Sequence, residues 1–402
     1  MITSKYAIRL ISKNIPILTE KKIDTYQSIG CTLKESIKAE RDQPPFNRVT
    51  MDGIAVNFNA IKKNILIFPI ETTQFAGAPR ETLDQKNHCI EVMTGSILPK
   101  GTNCVIPIEK IVIRNDIANI QKKYKASKYQ FIHTQGSDYK KGSVVIKTGK
   151  KIEPIDIALI LSCGKEKLTI SSDPIISIIS TGNELVPVGE KILSHQIRMS
   201  NGPSIKAMLH QQGFENCRHT HLVDDKTIQK NSIKNHLNKS DILILSGGIS
   251  MGKADYIPII LDELGIKCIF YKVKQRPGKP MWFGVGPGKK LVFALPGNPV
   301  SAITCCRHYV IPALHKMKGR THFFDEYIQL QKSINFKSDL TYFLPVKVIH
   351  QKDATTKAVP IETNTSGDFS SLSKTDGYIE LNHRKSIFNK NENIKFHRWK
   401  HP

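Results

Sequence analysis

No run in this chain approaches the ~20 consecutive apolar residues that a membrane-crossing helix requires. That excludes a spanning helix and the function classes built on one. The first 22 residues alternate apolar side chains with Lys, Arg and Glu. They lack the apolar centre and small-residue cleavage site of a secretory leader, so a cytoplasmic protein is expected. Cysteine is sparse: Cys31, Cys89, Cys104, Cys163, Cys217, Cys268, Cys305 and Cys306 include no Cys-x-x-Cys pair. Zinc-ribbon and thioredoxin chemistry therefore lose their usual signature. These thiols are expected to be mostly small buried apolar groups in a reducing compartment. There is no His-Glu-x-x-His and no Gly-x-Ser-x-Gly, which leaves out those metalloprotease and serine-hydrolase signatures.

Acidic side chains are the scarce charge. Asp and Glu number 35 against 59 Lys and Arg, for a formal net charge of +24. The lysines are dispersed and few aromatics lie among them, so no specific nucleic-acid interface is expected. A positive field would still favour capture of a small anionic substrate. Two suggestive patterns carry little. Gly284-Val-Gly-Pro-Gly-Lys-Lys290 precedes an apolar strand, whereas a phosphate-binding P-loop follows one. His219-Thr-His221 alternates as metal ligands do, but no third ligand is near, and both are expected at the surface.

At 402 residues, 40 % of them hydrophobic, the chain is too long for one core and should form two to four domains. Ser28 to Glu40 has roughly helical apolar spacing, and Asp42-Gln-Pro-Pro-Phe ends it. Residues 47–135 alternate short apolar runs with Gly, Pro and Asn turns, the pattern of a small β-rich domain. Within it, Gln121-Lys-Lys-Tyr-Lys-Ala-Ser-Lys reads as a solvated hairpin or edge strand. Residues 136–172 hold a short strand and a helix from Ile155 to Cys163 closed by Gly164. From residue 173 to about 320 strands, loops and helices recur as in an open α/β sheet. Residues 321–402 return to short alternating runs, as in a small β domain. There is no internal repeat.

Three glycine- and proline-bearing loops stand in the α/β stretch. Asp241-Ile-Leu-Ile-Leu runs into Ser246-Gly-Gly-Ile-Ser250, with Asp255 close behind. Leu291-Val-Phe-Ala runs into Leu295-Pro-Gly-Asn-Pro-Val-Ser301. Arg276-Pro-Gly-Lys-Pro280 follows Tyr271-Lys-Val-Lys-Gln. Glycine lets a backbone approach an anion, and a helix N-terminus adds donors and positive potential. Such loops at the carboxyl ends of parallel strands suit a phosphorylated ligand. Lys272, Arg276 and Lys279 flank one stiff turn and suit an oxyanion. Thr181-Gly-Asn-Glu184 follows another strand. Glu184, Asp224 and Asp255 are placed either as ordinary caps or as holders of a divalent cation.

Six blocks carry a resemblance: Met51-Asp-Gly-Ile-Ala-Val, Met93-Thr-Gly-Ser-Ile-Leu-Pro-Lys-Gly, Ser180-Thr-Gly-Asn-Glu-Leu, Ser246-Gly-Gly-Ile-Ser-Met-Gly, Arg276-Pro-Gly-Lys-Pro and Leu295-Pro-Gly-Asn-Pro-Val-Ser. In that order they resemble the MoeA / gephyrin-E family of molybdopterin molybdenumtransferases. A weaker block spans Ser370 to Leu381. The resemblance implies an α/β plus β fold: an open, MogA-like molybdopterin-binding sheet domain at 173–320, a β-rich insert at 47–135, an elongated domain made from 1–46 and 136–172, and a small C-terminal β-barrel-like domain at 321–402.

It also implies insertion of molybdate into adenylyl-molybdopterin with release of AMP, in a cytoplasmic homodimer with a composite site, assisted by Mg²⁺ or another divalent cation. The cation would sit at Glu184 and Asp255. Asp52, Thr94, Asp138, Glu184, Asp224, Asp255, Lys272, Arg276 and Lys279 would be catalytic. Thr181, Gly182, Ser246, Gly247, Gly248, Ser250, Pro277, Gly278, Pro296, Gly297, Asn298, Pro299 and Ser371 would bind substrate. The family usually has Asp where Asn183 stands, and more arginines around Asp138. A molybdopterin adenylyltransferase, which shares the sheet domain, and a non-catalytic dimeric scaffold are the alternatives; such an adenylyltransferase is also a candidate partner.

Overall fold

The computed structural model describes residues 1–249, 256–321, 325–362, 365 and 367–399. Its centre is a six-stranded sheet. The strands are β1 (Ile176–Thr181), β2 (Cys217–Leu222), β3 (Ile242–Ser246), β4 (Lys267–Tyr271), β5 (Trp282–Val285) and β6 (Leu291–Leu295). They lie in the order β2-β1-β3-β6-β5-β4. β2, β1, β3 and β6 are parallel; β5 runs antiparallel to β6, and β4, antiparallel in turn to β5, resumes the common direction. Every residue of β1, β3 and β6 is buried, which is why these runs are almost continuously apolar. Helices α1 (Asn201–Gln211) and α4 (Pro299–Cys305) cover one face through Ile205, Leu209 and Cys305. Helices α2 (Lys226–Lys239) and α3 (Ile257–Glu263) cover the other through Ile233, Leu237, Ile257 and Leu261. The chain leaves β1 for β2 on one side and then reaches β3 on the other. The carboxyl ends of β1 and β3 therefore form a switch point, where the loops part and leave a crevice.

The N-terminus departs from the expectation. The helix is Ser4–Asn14, with the Thr3 hydroxyl accepting from the Tyr6 N–H at 3.3 Å. Its Ala7 and Ile11 join the core of the α/β layer. Residues 28–40 are bends and short strands instead. Leu33 and Ile37 are buried with Ile146, Ile160 and Ile170. The Leu33 and Lys34 N–H groups donate to Lys150 and Thr169 carbonyls at 2.9 Å each. An i, i+4 apolar pair suits a helix, but cross-strand pairing with 144–171 satisfies the same side chains and the backbone together.

Residues 53–120 form a second six-stranded sheet with its own core around Ile54, Phe68 and Ile106. The basic run from 121 to 128 is turn and coil, not strand. At the C-terminus, Thr341–His350, Thr356–Pro360, Glu326–Leu330, Asn393–Arg398 and Gly377–Leu381 close on themselves, since the first of these also pairs with the last. Two strands from elsewhere extend this barrel. Val273–Arg276 runs parallel to it, with Gln275 opposite Thr341 and Arg276 opposite Tyr342. Ile2–Thr3 then pairs with Val273 and Lys274. The strand that carries the basic loop is thus shared between the α/β layer and the barrel.

Candidate active site

The crevice begins with two glycine loops in contact. Gly247 has φ +99°, and a β-carbon there would lie 2.7 Å from the Thr181 carbonyl oxygen. Only glycine lets the loop after β3 close on the loop after β1. Asn183 and Asp224 tie the latter down reciprocally. The Asn183 N–H donates to an Asp224 carboxylate oxygen at 3.2 Å, and the Asp224 N–H donates to the Asn183 side-chain oxygen at 3.0 Å. An amide at 183 thus holds Asp224 in place without a second carboxylate. The other Asp224 oxygen accepts from Gln229, while Asp225 caps α2 through the Ile228 N–H at 2.8 Å. The loop after β6 is joined by Asn201, whose amide donates to the Ser246 hydroxyl at 3.0 Å and the Gly297 carbonyl at 2.7 Å. Pro299 then opens α4 at its first turn, where no N–H is needed.

Two adjoining hollows of about 300 and 430 Å³ share Thr181, Glu184, Gly247, Pro280, Pro296 and Gly297 as lining. Gly182, Asp224 and Gly248 line the smaller; Ser246, Asn298 and Pro299 line the larger. Some of the polar groups here are not spent on one another. The Thr181 hydroxyl and the Asn201 side-chain oxygen are buried with no hydrogen-bond partner among the described residues. The Glu184 carboxylate has neither a hydrogen bond nor an ion pair among them. Buried polar atoms without partners are uncommon in a finished interior, so this surface is built for something to be added. Ser250 and Asp255 lie outside the described residues.

A further hollow of about 400 Å³ lies across the basic loop. Arg276, Pro277, Gly278, Lys279 and Ser301 line it with Tyr342 of the barrel. Pro280 and Asn298 line both this hollow and the crevice, so the two spaces adjoin. The Arg276 guanidinium sits 5.2 Å from the Tyr342 ring centre. Neither it nor Lys279 has an anionic partner among the described residues. Lys272 is placed apart, its ammonium 5.0 Å from the Tyr271 ring centre. Of the three cations, Arg276 and Lys279 therefore line this hollow and Lys272 does not. Ser371, in the turn Phe369–Leu372 that lies against α4, donates its hydroxyl to Asp368 at 2.6 Å.

The loop keeps its shape through a residue that sequence reasoning missed. Gln275, 1 % exposed, donates to the Gly278 carbonyl at 3.0 Å and accepts from the Tyr309 hydroxyl. Gly278 has φ +87°, and a β-carbon there would meet Cys305 Sγ at 2.4 Å. The available signal was slight: an uncharged Gln between Lys274 and Arg276, two residues before the Pro-Gly turn. Gln275→Leu is expected to cost about 1–3 kcal/mol, because the buried Gly278 carbonyl loses its amide donor and the Tyr309 hydroxyl keeps only Ser4. Thermal unfolding with amide exchange at Gly278 and Lys279 would read this; unchanged exchange would show that the turn holds itself. Asn201 was also missed, since Asn-Gly-Pro reads only as a helix start.

His219 and His221 are not the surface residues expected. His219 Nε2 is 3.0 Å from the Ser180 hydroxyl, and His221 Nε2 is 2.8 Å from the Gly182 carbonyl. They brace β1 and its loop from the edge strand. Asp52, Thr94 and Asp138 line none of these hollows. The Asp52 carboxylate accepts the Thr94 N–H at 2.5 Å, which holds its carboxyl below the usual range. Asp138 lies 2.9 Å from His133, whose other ring nitrogen is 3.1 Å from Arg48.

Three family profiles match the chain in succession: "MoeA N-terminal region (domain I and II)" over residues 2–164, "Probable molybdopterin binding domain" over 177–316, and "MoeA C-terminal region (domain IV)" over 327–399. A molybdopterin molybdenumtransferase of Synechocystis sp. is 36 % identical over 404 residues, covering 99 % of this chain and 100 % of the relative. One from Staphylococcus epidermidis is 31 % identical, covering 94 % and 91 % respectively. The crystal structure of a molybdopterin biosynthesis MoeA protein from Pyrococcus horikoshii superimposes with a TM-score of 0.82 at 26 % identity, with each chain covered in full. The crevice, the basic loop and these full-length matches agree: the chain belongs to the MoeA family of molybdopterin molybdenumtransferases, enzymes of molybdenum cofactor biosynthesis.

Proposed function

We propose that the crevice holds adenylyl-molybdopterin and that Arg276 and Lys279 hold molybdate in the adjoining hollow, so that metal insertion accompanies release of AMP. The observation that carries this reading is the pair of spaces on either side of Pro280, one with unspent oxygen groups and one with unspent cations. The phosphate end of the substrate suits the Gly247 and Gly297 loops, whose backbones approach closely. Thr181 and Asn201 would orient it. Arg276 and Lys279 would fix the oxyanion near the dithiolene, as positive groups that need no reorganisation. Lys272 would extend the positive field over the crevice.

A divalent cation fits this site. The Thr181 hydroxyl and the Glu184 carboxylate are hard oxygen donors, left without partners among the described residues. Glu184 and Asp255 would hold Mg²⁺ or a similar ion, which supplies charge neutralisation at the phosphates. Asp224, fixed by Asn183 and Gln229, would orient the attacking water.

Asp52, Thr94 and Asp138 would complete the crevice of a second subunit in a cytoplasmic homodimer. Upstream, a molybdopterin adenylyltransferase would hand over the adenylated pterin. Asp52→Ala and Glu184→Ala chains should each be inactive. Mixed into verified heterodimers, they should regain up to about half of the activity, because one of the two sites is intact. Heterodimers as inactive as either parent would place the whole site in one chain.

A further inference from the structure

The central sheet has an open edge at strand β2. Among the described residues strand β2 has one neighbour, β1, and no strand on its outer side. A hollow of about 870 Å³ runs along that edge. Lys206 of α1 stands on one side of the strand, His236 and Lys239 of α2 on the other, and Arg218 lies on the strand itself. Among the described residues no Asp or Glu lines it.

The backbone of β2 has a definite polarity of hydrogen bonding. The Ile176 N–H donates to the Asn216 carbonyl, and the Gly182 N–H donates to the Leu222 carbonyl. In a parallel ladder the N–H and C=O of one residue point to the same side, and successive residues alternate. With Ile176 opposite Cys217 and Thr181 opposite Leu222, the even-numbered residues 216 to 222 face β1. His219 and His221 therefore turn N–H and C=O to the open side. Such a row is a template for another strand, and edges of this kind are normally blunted or covered.

The side chains set the character of what fits. The rings of His219 and His236 are engaged with the Ser180 and Ser177 hydroxyls, each at 3.0 Å. Burial, and then the neighbouring positive groups, hold both rings below the usual histidine range. Near the strand the walls are thus neutral. Lys206, Arg218 and Lys239 have no ion-pair partner among the described residues, and they supply the charge.

We infer that this groove docks an extended, acidic segment of a partner protein, added as a further strand beside β2 and flanked by α1 and α2. A second copy of this chain is a poor occupant, because two such edges would bring the same cations face to face at a net charge of +24 per chain. The backbone row favours a polypeptide over a nucleic acid, which has the charge but not the pattern of donors and acceptors.

The probe is a labelled nine-residue peptide alternating Glu and Val, titrated into the full-length protein by fluorescence anisotropy. Two N-methylated versions, blocked on alternate residue sets, test the ladder. One set should weaken binding at least about tenfold, ~1.4 kcal/mol, and the other should leave it nearly unchanged. Exchange of Glu for Lys in the peptide should abolish binding. The Lys206→Glu/Lys239→Glu double variant should weaken it about tenfold, and added salt should weaken it too. Absence of binding would overturn the inference. So would equal loss with both methylated sets, insensitivity to the double variant, or a (dT)₂₀ oligonucleotide that competes at equal affinity. Burial of this edge in the homodimer, seen as protection of the β2 amides that disappears on dilution to monomer, would overturn it as well.

Discussion

Lys279→Ala and Arg276→Ala are each expected to lower molybdate-dependent cofactor formation by about 10²–10³, the range seen when one preorganised donor to a developing anion is removed. The folded protein should survive both changes. Lys279 is exposed in the loop and Arg276 lies over Tyr342 at the rim of the hollow, and neither has an anionic partner among the described residues. Their removal leaves no buried carboxylate behind. The loop's shape comes from Gln275, Gly278 and Cys305, which remain. Assay at limiting molybdate should therefore show the loss, while the thermal midpoint moves by no more than a few degrees. A rise in the molybdate requirement that excess molybdate rescues would assign the cations to binding alone. Full activity of both variants at limiting molybdate would remove the oxyanion from this hollow altogether.

The parts of the site that were legible in the sequence are those whose requirements are local. Gly247 is needed because a β-carbon would strike Thr181, and Gly278 because it would strike Cys305. Each glycine stands in a turn that follows an apolar run, so the run and the turn announce each other. Pro299 opens a helix and Gly213 ends one with φ +82°. Strands β1, β3 and β6 were legible because burial on both faces leaves them almost purely apolar, whereas the half-exposed edge strand β2 was not. What was not legible depends on partners far along the chain. Nothing local separates a helix from paired strands between Ser28 and Glu40. No short-range pattern shows that Ile2–Thr3 would lie beside Val273–Arg276. His219 and His221 looked like surface residues because Ser180 and Gly182, their partners, lie some forty positions earlier. The link from the basic loop to the barrel runs through Gln275, Tyr309, Ser4, His308 and Tyr378, five residues from four separate segments.

That link is expected to make the folded protein acid-sensitive. His308 is 4 % exposed, with its ring nitrogens 3.1 Å from the Ser4 hydroxyl and 3.0 Å from the Tyr378 hydroxyl. Burial, then nearby His397, Arg307 and Lys395, push its pKa down to about 3, against the opposing pull of Glu380. Burial pushes the Glu380 carboxyl up, but the hydrogen bond from His397 and the surrounding charges outweigh it and hold the pKa at about 2. Both shifts act in one direction. Between about pH 6.5 and 3 the unfolded chain binds a proton at His308 that the folded chain refuses. Below about 4.5 the unfolded chain also protonates Glu380 before the folded one does. Stability should thus be full near neutrality and fall as the pH drops. His308 alone should account for a loss on the order of 3 kcal/mol between pH 7 and pH 4.

Trp399 offers a local reporter, since its ring lies 5.1 Å from that of Tyr378 and its N–H donates to Thr375. In a Trp282→Phe background, urea unfolding followed at Trp399 should show a midpoint that falls steeply from pH 7 to pH 4. His308→Phe keeps an aromatic ring against Phe343 and Tyr309 but has no proton to refuse. It should be less stable at pH 7, because Ser4 and Tyr378 lose a partner, and distinctly flatter with pH. Crossing or converging pH curves are the expected signature. Parallel curves for the two proteins would show that His308 does not carry the acid response, and that Glu380 or the general surface charge does.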